Sequence, residues 1–341
     1  MSQASHHAYS TSDPSSERAP IDAVVTWVDG SDPEHQRKRL RALHQDADDE
    51  KLLETSADPT RFQDSGELEY CLRSIRRFAP WIRTIHLVTD DQQPNFLQKH
   101  KDLREHVDLV DHTEIFESYE WALPTFNSRT IETALWRIPG LAPRFIYFND
   151  DFMLVQETDP NDFFTEDGVV LRGTWTSMVG TSLLSAQVNR LMNLAAKHIL
   201  GITRSMNHLL QTRSAQLAGF EDQYFHVPHV PHPVQRDTVA RFFDTREDLF
   251  EENIQYPFRS TEQFSAIYLA HHLEIKRNRA ILKSDDDALM INGEMSVPGL
   301  FRRKLRRIEQ GNVTFLCVQA LEKFSAASRA DIQSTLDAVL R

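Results

Sequence analysis

The stretch IDAVVTWVDGSDP, residues 21–33, decides the fold class of this chain. Its first eight residues are apolar or β-branched except for Asp22. A nearly continuous apolar run of this kind is typical of a parallel strand that is buried on both faces. Asp29 and Gly30 begin a cluster of turn-forming residues, so we expect the strand to end there.

Three more strands are predicted downstream, at residues 85–89, 107–110 and 145–148. Helical patterns lie between them: apolar residues at helical spacing predict one helix over 67–78, and another is expected from about 128 to 137. Strands that alternate with helices form a mostly parallel, Rossmann-like α/β sheet with right-handed crossovers. The predicted fold class is therefore α/β.

The chain is predicted to divide into three parts. Residues 1–20 are rich in Ser, His and Pro and are expected to be a disordered tail. Residues 21–325 are expected to form a single α/β domain with a helical insertion near 181–220, and residues 326–341 a C-terminal helix. Further helices are expected at 238–252 and 261–273.

The composition of the 341 residues excludes some function classes. A net charge of -12 argues against a general nucleic-acid binder, because phosphate backbones require a basic surface. The two cysteines, Cys71 and Cys317, are too few for a disulfide framework and favour a reducing compartment. The first twenty residues lack the apolar core of a signal peptide, and no apolar run reaches the ~18 residues of a membrane span. We therefore expect a cytoplasmic protein.

The polar residues that follow the predicted strands are expected to line one crevice. Ligands of open α/β sheets bind at the carboxyl ends of the strands, and those ends share one edge of the sheet. The residues concerned are Asp29, Asp90, Asp111 and Asp150.

The run Asn149-Asp150-Asp151 is the strongest of these local signals. Adjacent carboxylates at a strand end suit a divalent cation that bridges to phosphate oxygens. Alternatively, one of the pair holds a substrate hydroxyl, or the two form a simple polar turn. The apolar residues on both sides favour a functional site, because burying two carboxylates without a cation or hydrogen-bond donors is costly.

The segment at residues 123–132 leads into a predicted helix. Asn127 or Ser128 can cap that helix, and Glu132 falls in its first turn, where the helix dipole favours a carboxylate. In one interpretation these residues only stabilise the start of the helix. The other is that the free N–H groups of the helix start bind an anionic phosphate while Glu132 orients a partner.

Three histidines recur at every third position, as His226, His229 and His232. The prolines between them favour polyproline II, in which all three imidazoles face the same way about 9 Å apart. Two of them cannot share one metal ion unless the chain bends. A single imidazole that acts as a general base is favoured over a metal site, and surface histidines are the alternative.

Two basic features are also candidates for anion contact. Arg259 offers a guanidinium that can clamp a phosphate through two hydrogen bonds. The run at 301–308 places Phe301, Leu305 and Ile308 on one helical face and five cations on the rest. Those cations either contact anionic lipid or pyrophosphate, or form an ordinary solvated surface.

Together these motifs resemble the Stealth family, which includes bacterial capsule hexose-1-phosphate transferases and is related to the lysosomal-enzyme N-acetylglucosamine-1-phosphotransferase of animals. The first family block resembles residues 21–33. The second resembles residues 64–90 and continues into 123–132 and 147–151. So many matches in the same order are highly specific, and the resemblance covers most of residues 21–317.

The third family block is looser and resembles a His-x-Pro-His motif followed later by residues 258–260. Two registers fit it, one with His226 and His229 and the other with His229 and His232. The second is favoured, because the residues after His232 resemble those that follow the family motif. The fourth block usually reads Cys-hydrophobic-Asn-Asp, but here Gln319-Ala320 stands in place of Asn-Asp.

The resemblance implies a nucleotide-sugar transferase-like sheet and a specific reaction. A sugar 1-phosphate would move from a nucleotide-diphosphate sugar to a glycan hydroxyl, giving a phosphodiester-linked capsular polysaccharide or exopolysaccharide, with Mg or Mn as cofactor. The implied catalytic residues are Glu132, Asp151, His229 and Arg259. The implied donor-binding residues are Trp27, Asp29, Gly30, Arg73, Asp90, Asn127, Ser128 and Asn149, with Asp150 and Asp151 as metal ligands.

Two other functions are kept as alternatives. One is a glycosyltransferase that attacks the sugar carbon and releases a nucleoside diphosphate. The other is a glycan-binding protein without catalysis, which the altered fourth block favours. The expected partners are a nucleotide sugar and a glycan acceptor, with no nucleic acid and with peripheral contact at the inner membrane as one reading of the basic run.

Overall fold

The computed structural model describes residues 19–45, 65–178, 204–293 and 298–341. Within these ranges the strands are β1 Ile21–Thr26, β2 Ile85–Thr89, β3 Val107–Asp111, β4 Arg144–Asn149, β5 Phe152–Leu154, β6 Phe164–Thr165, β7 Gly168–Arg172, β8 Thr174–Ser177, β9 Gln223–His226, β10 His232–Gln235, β11 Ala280–Lys283, β12 Ala288–Asn292 and β13 Phe315–Gln319. The α-helices are α1 Pro33–Gln45, α2 Glu67–Phe78, α3 Lys101–Arg104, α4 His112–Ile115, α5 Ser128–Ala134, α6 Arg204–Leu217, α7 Arg236–Thr245, α8 Glu247–Ile254, α9 Ala266–Lys276, α10 Pro298–Glu309 and α11 Ala326–Val339.

The central sheet has the strand order β10-β4-β1-β2-β3. Strands β1 to β4 are mutually parallel, and Val24 of β1 lies between His86 of β2 and Tyr147 of β4. Strand β10 joins the edge of β4 in the antiparallel direction, which the sequence did not indicate. The predicted parallel α/β sheet is confirmed, and the carboxyl ends of β4, β1 and β2 meet at one edge.

Strand β1 is buried along its whole length, as its apolar run predicts. Ala23 and Val25 face one apolar core, to which Leu68 and Leu72 of α2 also belong. Val24 faces the core on the opposite side of the sheet. This alternation arises because successive side chains of a strand point to opposite faces, and it places β1 in the middle of a three-layer domain.

A second sheet begins where the central sheet ends. Strand β5 follows β4 after the two residues Asp150 and Asp151, and it pairs antiparallel with β13, which in turn pairs parallel with β12. In that register Phe152 lies opposite Cys317. The Asp150-Asp151 turn therefore sits at the junction of two sheets and is packed by residues from distant parts of the chain.

Helix α1 corrects one prediction. The many charged residues of the stretch 34–54 predict a solvated helix, and the second part of this stretch lies outside the described residues. Within α1, however, His35 and Arg39 are buried, at 4% and 8% exposure. One face of α1 is therefore buried although its residues are polar. On this face His35 packs edge-on against the ring of Phe126, with ring centroids 5.2 Å apart.

The later helices differ from the predictions mainly at their boundaries. The predicted helix at 238–252 is two helices, α7 and α8, that meet at Arg246. The helix predicted from 261 begins only at Ala266, because the Ser265 side chain caps it by accepting the N–H of Tyr268. Of the predicted insertion near 181–220, helix α6 is described, and residues 181–203 lie outside the described ranges.

The basic run at 301–308 forms helix α10, as predicted. Its apolar face, with Phe301, Leu305 and Ile308, packs into an internal core, so that face is covered by the protein itself. Within the described parts of the chain, no helix combines the length and apolarity needed to cross a membrane.

Asp22 is a charged residue in the interior of the central sheet. It is fully buried on β1, and its carboxylate accepts hydrogen bonds from Arg83 Nε at 2.8 Å, Arg83 Nη2 at 2.6 Å and the Ala142 N–H at 2.8 Å. His86 Nε2 lies 3.2 Å from the same group. Burial opposes ionisation, but the hydrogen bonds from His86, Arg83 and Ala142 outweigh it and lower the pKa of Asp22 to about 2.

The substitution Asp22→Ala is expected to lower the free energy of unfolding by about 3 kcal/mol at pH 7, because it leaves His86 and Arg83 without their shared acceptor. The folded state binds fewer protons than the unfolded state, so this stabilisation is present above about pH 4 and is lost as the pH falls toward 2. Urea denaturation of wild type and Asp22→Ala across pH 2–7 measures both effects. Asp244→Ala, at an exposed position of α7, is the control, and an equal loss in both variants would contradict the assignment.

Candidate active site

The buried hydroxyl of Tyr147 lies near the carboxyl end of β4. That hydroxyl donates to Asn149 Oδ1 at 2.7 Å and lies 3.1 Å from Thr26 Oγ1 at the end of β1. Tyr147 is 2% exposed, so the strand end is a desolvated polar site. The side chains at the carboxyl ends of β4 and β1 are therefore joined across the sheet.

Asp151 is held in this turn by the second sheet. Its carbonyl oxygen accepts the N–H of Val318 at 3.0 Å, and its Oδ2 accepts from the Cys317 thiol at 3.4 Å. Its Oδ1 is buried and has no hydrogen-bond partner among the described residues. Burial raises the pKa of Asp151 to about 6, although the Cys317 hydrogen bond lowers it in part.

The two cysteines flank this turn from opposite elements. Both are free thiols, as the low cysteine count predicts, and both are fully buried. The Cys71 thiol on α2 lies 3.7 Å from the carbonyl oxygen of Asn149. Burial, together with Asp150 and Asp151, raises the pKa of each thiol, so both remain protonated donors.

Glu132 approaches the same strand end from helix α5. Its Oε2 accepts from the Ser265 hydroxyl at 3.1 Å, and its Oε1 lies 3.4 Å from the Tyr147 hydroxyl. Burial raises the pKa of Glu132 to about 7, although Ser265, Arg129 and Tyr147 lower it in part. A carboxyl group with this pKa changes charge near neutral pH.

The start of α5 is capped by Asn127, whose Oδ1 accepts the N–H of Arg129 at 3.1 Å. Asn127 is fully buried, and its amide group donates to the carbonyl oxygens of Tyr256 and Phe258 at 3.0 and 2.9 Å. Its side chain is therefore engaged inside the protein rather than directed at a ligand. Of the two predicted capping residues, Asn127 is the one that caps.

Ser128 and Arg259 are brought together at this helix start. Arg259 Nη2 donates to Ser128 Oγ at 2.6 Å. Ser128 precedes Glu132 by one turn of α5, so the helix joins the Arg259–Ser128 contact to the Glu132–Tyr147–Asn149 contacts, and these five residues are called the connected set.

The histidine segment bends, and this corrects the predicted polyproline conformation. The Val230 N–H donates to the Pro228 carbonyl at 3.0 Å, which turns the chain between β9 and β10. His226 consequently stacks on His208 at 4.8 Å, whereas His229 and His232 both pack edge-on against Phe152, at 6.2 and 5.8 Å. The prediction that all three imidazoles face the same way is therefore wrong.

The two histidines beside Phe152 differ in burial. His232 is 3% exposed and belongs to strand β10, whereas His229 is only partly buried in the loop before it. Burial lowers the pKa of His229, so its ring is neutral at pH 7. Among the described residues, no group of three or more His, Cys, Asp or Glu side chains forms a metal site on its own.

The residues that follow β1 form a separate part of the crevice. Asp29 Oδ1 accepts from the N–H and the hydroxyl of Ser31, at 2.8 and 2.5 Å, and the Asp29 backbone pairs with the Gln92 side chain. The Gly30 carbonyl accepts from Gln36 Nε2 at 2.9 Å. Trp27 is 8% exposed and its ring belongs to the apolar core, while its backbone N–H donates to the Val88 carbonyl at 3.1 Å.

Two further predicted residues lie in different surroundings. Asp90 follows β2 and pairs with Lys38 of α1, with Nζ 3.1 Å from both carboxylate oxygens. The Arg73 guanidinium lies 3.6 Å from Glu69 and 3.8 Å from Asp337 of α11. Because Arg73 is two positions from Cys71 on α2, it points away from the turn after β4, and the structure does not bring it to that cluster.

The altered fourth block lies next to Asp151. Gln319 Oε1 accepts from Asn292 Nδ2 at 3.0 Å, so two carboxamides meet where the parallel strands β12 and β13 end. Ala320 then adopts a left-handed conformation with φ 55°, a backbone region that Asn, Asp and Gly occupy more readily than Ala.

Residues 19–47 match the Stealth protein CR1, conserved region 1, and residues 61–171 match the Stealth protein CR2, conserved region 2. The receptor polysaccharide phosphotransferase WefC of Streptococcus oralis is 33% identical over 264 residues, which cover 70% of this chain and 74% of WefC. The chain belongs to the Stealth family. The predicted family resemblance is therefore confirmed.

Two other relatives of this Stealth chain differ in how much of their length is covered. The exopolysaccharide phosphotransferase cps2G of Lactiplantibacillus plantarum is 30% identical over 273 residues, 75% of each chain. An exopolysaccharide phosphotransferase of Streptomyces coelicolor is 34% identical over 256 residues, which cover 74% of this chain and 38% of that protein. The chain spans only 25% to 38% of the length of four such Streptomyces coelicolor proteins.

Among solved structures, the galactosyltransferase LgtC, in complex with donor and acceptor sugar analogs, is similar over 87% of this Stealth chain and 86% of its own. The sequence identity is 9% and the TM-score is 0.38. This likeness is too distant to inform the chemistry of the site.

Proposed function

We propose that this Stealth protein transfers a sugar 1-phosphate from a nucleotide-diphosphate sugar to a hydroxyl group of a glycan acceptor. One observation carries the proposal: helix α5 joins the Arg259–Ser128 contact to the Glu132–Tyr147–Asn149 contacts, and these lead to the carboxyl end of β4, where Asp151 follows with a buried, unpartnered Oδ1 among the described residues. Relatives that align over about three quarters of their length are named polysaccharide phosphotransferases, which supports this class of reaction.

A divalent cation, Mg or Mn, fits the carboxylates of Asp150 and Asp151. The support is that Asp151 Oδ1 is buried without a partner among the described residues, and a buried carboxylate oxygen favours a cation or a donor. Because no complete metal site is built from protein side chains in those ranges, the diphosphate would provide the remaining ligands, as is common for Mg. When bound there, the cation would neutralise charge on the diphosphate.

Phosphate binding and proton transfer would be carried out by side chains of the protein. Arg259 would bind the phosphate to be transferred, because a guanidinium can donate two parallel hydrogen bonds to phosphate oxygens. His229, kept neutral by burial, would take the proton of the acceptor hydroxyl as that oxygen bonds to the β-phosphorus. The bond from the β-phosphorus to the bridging oxygen then breaks, and a nucleoside monophosphate leaves. Positioning and charge neutralisation would supply most of the rate.

The donor would lie along the carboxyl ends of β1, β2 and β4. Its proposed contacts are Asp29, Gly30, Asp90, Ser128 and Asn149, and Trp27 would support them from the core. Asn127 would act indirectly by fixing the start of α5, since its side chain is fully engaged. Arg73 is left out of this set, because its guanidinium contacts Glu69 and Asp337 instead.

The proposed location is the cytoplasm, with peripheral contact at the inner face of the membrane. A nucleotide sugar is a cytoplasmic metabolite, and the low cysteine count agrees with a reducing compartment. The exposed cations of α10, Arg302, Arg303 and Arg306, would provide a peripheral contact with the anionic inner face of the membrane.

The identity of the released nucleotide tests the proposal. Wild-type protein is incubated with a panel of nucleotide-diphosphate sugars and a glycan acceptor, and the nucleotides are separated by chromatography. Release of a nucleoside monophosphate is expected. Release of a nucleoside diphosphate would establish the glycosyltransferase alternative, and donor or glycan binding without any turnover would favour the glycan-binding alternative.

Glu132 is expected to give the transfer reaction an ionisation near neutral pH. If the ionised carboxylate is the active form, kcat/KM rises with pH through an apparent pKa of about 7, because burial has raised the pKa of Glu132 to that value. In Glu132→Gln this step disappears, and the remaining acidic limb, due to His229, lies below pH 6.5. The measurement is the pH profile of nucleoside monophosphate release for the two proteins.

The stability of Glu132→Gln provides the control. A raised pKa in the folded state means that ionised Glu132 destabilises the fold above its unfolded pKa, so the Gln variant is expected to be at least as stable as wild type at pH 8. A profile that keeps its pKa near 7 in a well-folded Glu132→Gln would refute the assigned role.

A further inference from the structure

A buried carboxamide, that of Gln263, connects helix α5 to the segment that carries Arg259. Gln263 is 1% exposed. Its Oε1 accepts from Asn127 Nδ2 at 2.8 Å and from the Ser260 N–H at 3.1 Å. Its Nε2 donates to Thr130 Oγ1 at 3.1 Å and to the Asn253 carbonyl at 2.9 Å. Every hydrogen-bonding position of this side chain is therefore used.

Asn253 of α8 extends the same network. Its Nδ2 donates to Thr133 Oγ1 at 2.7 Å, and its Oδ1 accepts the N–H of Phe264 at 3.1 Å. Asn253 is 1% exposed and Thr133 is fully buried. A fully satisfied network of buried polar groups makes an arrangement rigid and specific. Helices α5 and α8 and the segment 256–265 are consequently fixed to one another.

The peptide groups on both sides of Arg259 are held by this unit. The Phe258 carbonyl accepts from Asn127 Nδ2 at 2.9 Å, the Ser260 N–H donates to Gln263, and the Ser260 carbonyl accepts from Arg129 Nη1 at 2.8 Å. The Phe258 ring also stacks on Phe126, with centroids 5.5 Å apart. The backbone that carries Arg259 therefore has little freedom relative to the start of α5.

We infer that Gln263 is a positioning residue that holds Arg259 against Ser128 at the N-terminus of α5. Without the carboxamide, the Ser260 N–H and the Asn127 amide lose a buried acceptor, and the segment that carries Arg259 is released. The catalytic part of this inference rests on the proposed function, because it assigns the effect of Gln263 to the phosphate-binding arginine. A merely structural role would lower stability without acting through Arg259.

A double-mutant cycle with Gln263→Met and Arg259→Ala tests the connection. Gln263→Met alone is expected to lower kcat/KM for nucleoside monophosphate release by roughly 10- to 100-fold, since small misplacement of a binding group has effects of this size. In the Arg259→Ala background the same change is expected to cost less than about threefold, because residues that act as a unit are non-additive. Equal losses in both backgrounds would overturn the inference.

Gln211→Met is the matched control. Gln211 is also fully buried, and its carboxamide makes two hydrogen bonds to the Val227 backbone, each 2.9 Å long. Any loss it causes is expected to add to that of Arg259→Ala. If Gln263→Met does not fold, Thr130→Val replaces it, because it removes one acceptor of Gln263, and the same non-additivity is expected with an effect of about threefold.

Amide hydrogen exchange tests the positioning without any activity. In Gln263→Met the Ser260 N–H is expected to exchange at least about tenfold faster, while Val25 in the centre of β1 keeps its wild-type rate. Equal acceleration at both sites would mean general destabilisation and would overturn the inference. A wild-type protein that releases no nucleoside monophosphate would refute the proposed function, and the exchange comparison would still decide the positioning.

Discussion

Replacing Arg259 by alanine is expected to lower kcat/KM for sugar-phosphate transfer on the order of 10³-fold, the lower end of what arginines contribute to phosphoryl transfer. The physical reason is that Arg259, fixed at Ser128 Oγ, offers a planar guanidinium to a phosphate whose charge is redistributed in the transition state. Arg259→Lys is expected to recover only part of the loss, since an ammonium group is a point charge without the two-pronged geometry. Steady-state release of nucleoside monophosphate measures both variants.

The control for Arg259 is Arg246→Ala. Arg246 lies between α7 and α8 and pairs with Asp248 at 2.9 Å, and no part of the connected set around β4 touches it in the described contacts. Activity within about twofold of wild type is expected for Arg246→Ala. If Arg259→Ala keeps more than a third of the wild-type kcat/KM, phosphate binding does not depend on this residue.

His229→Ala is the second substitution with a large expected effect, also on the order of 10³-fold in kcat/KM. A neutral imidazole beside Phe152 can accept the proton of an attacking hydroxyl, and alanine removes that function while sparing the strands on either side. The comparison with His226→Ala is decisive for the register of the third family block. His226 lies in the same segment, but its ring stacks on His208, so a loss below about tenfold is expected.

The activities of the two histidine variants are compared together with their thermal stabilities. Thermal unfolding of both variants should stay near wild type, because both side chains are only partly buried. A greater loss for His226→Ala than for His229→Ala would contradict the assigned base and would favour the other register.

The main sheet could be predicted from the sequence because each of its parallel strands is a short apolar run followed by polar residues. Strand β10 could not be predicted, because residues 232–235 form a short segment that contains and follows prolines. Its pairing partner, residues 144–147, is also distant in the sequence. The buried face of α1 could not be predicted either, because a hydrophobicity pattern counts His35 and Arg39 as polar residues.

The site was predictable where it follows strand ends and unpredictable where distant segments meet. Asn149, Asp150 and Asp151 are adjacent in sequence, so their proximity needed no tertiary information. The contact of Asp151 with Cys317 spans 166 positions, and that of Glu132 with Ser265 spans 133. For the contact between Asp151 and Cys317, the sequence signal was that Cys317 lies within a family block. The sequence analysis used only the number of cysteines and not their positions.

The histidine segment shows how a local rule can fail. Prolines favour polyproline II, but β9 and β10 belong to different sheets, and the chain between them must turn to connect them. The tertiary requirement outweighs the local preference and separates His226 from His229.

The account depends most on the claim that phosphorus is transferred together with the sugar. Phosphorus NMR of the glycan product, after removal of all nucleotides, tests this most directly, with wild type and His229→Ala incubated in parallel with donor and acceptor. A phosphodiester resonance that grows with time in the wild-type product and is almost absent from the His229→Ala product is the predicted result. A glycan that has gained the sugar but contains no phosphorus would contradict the account.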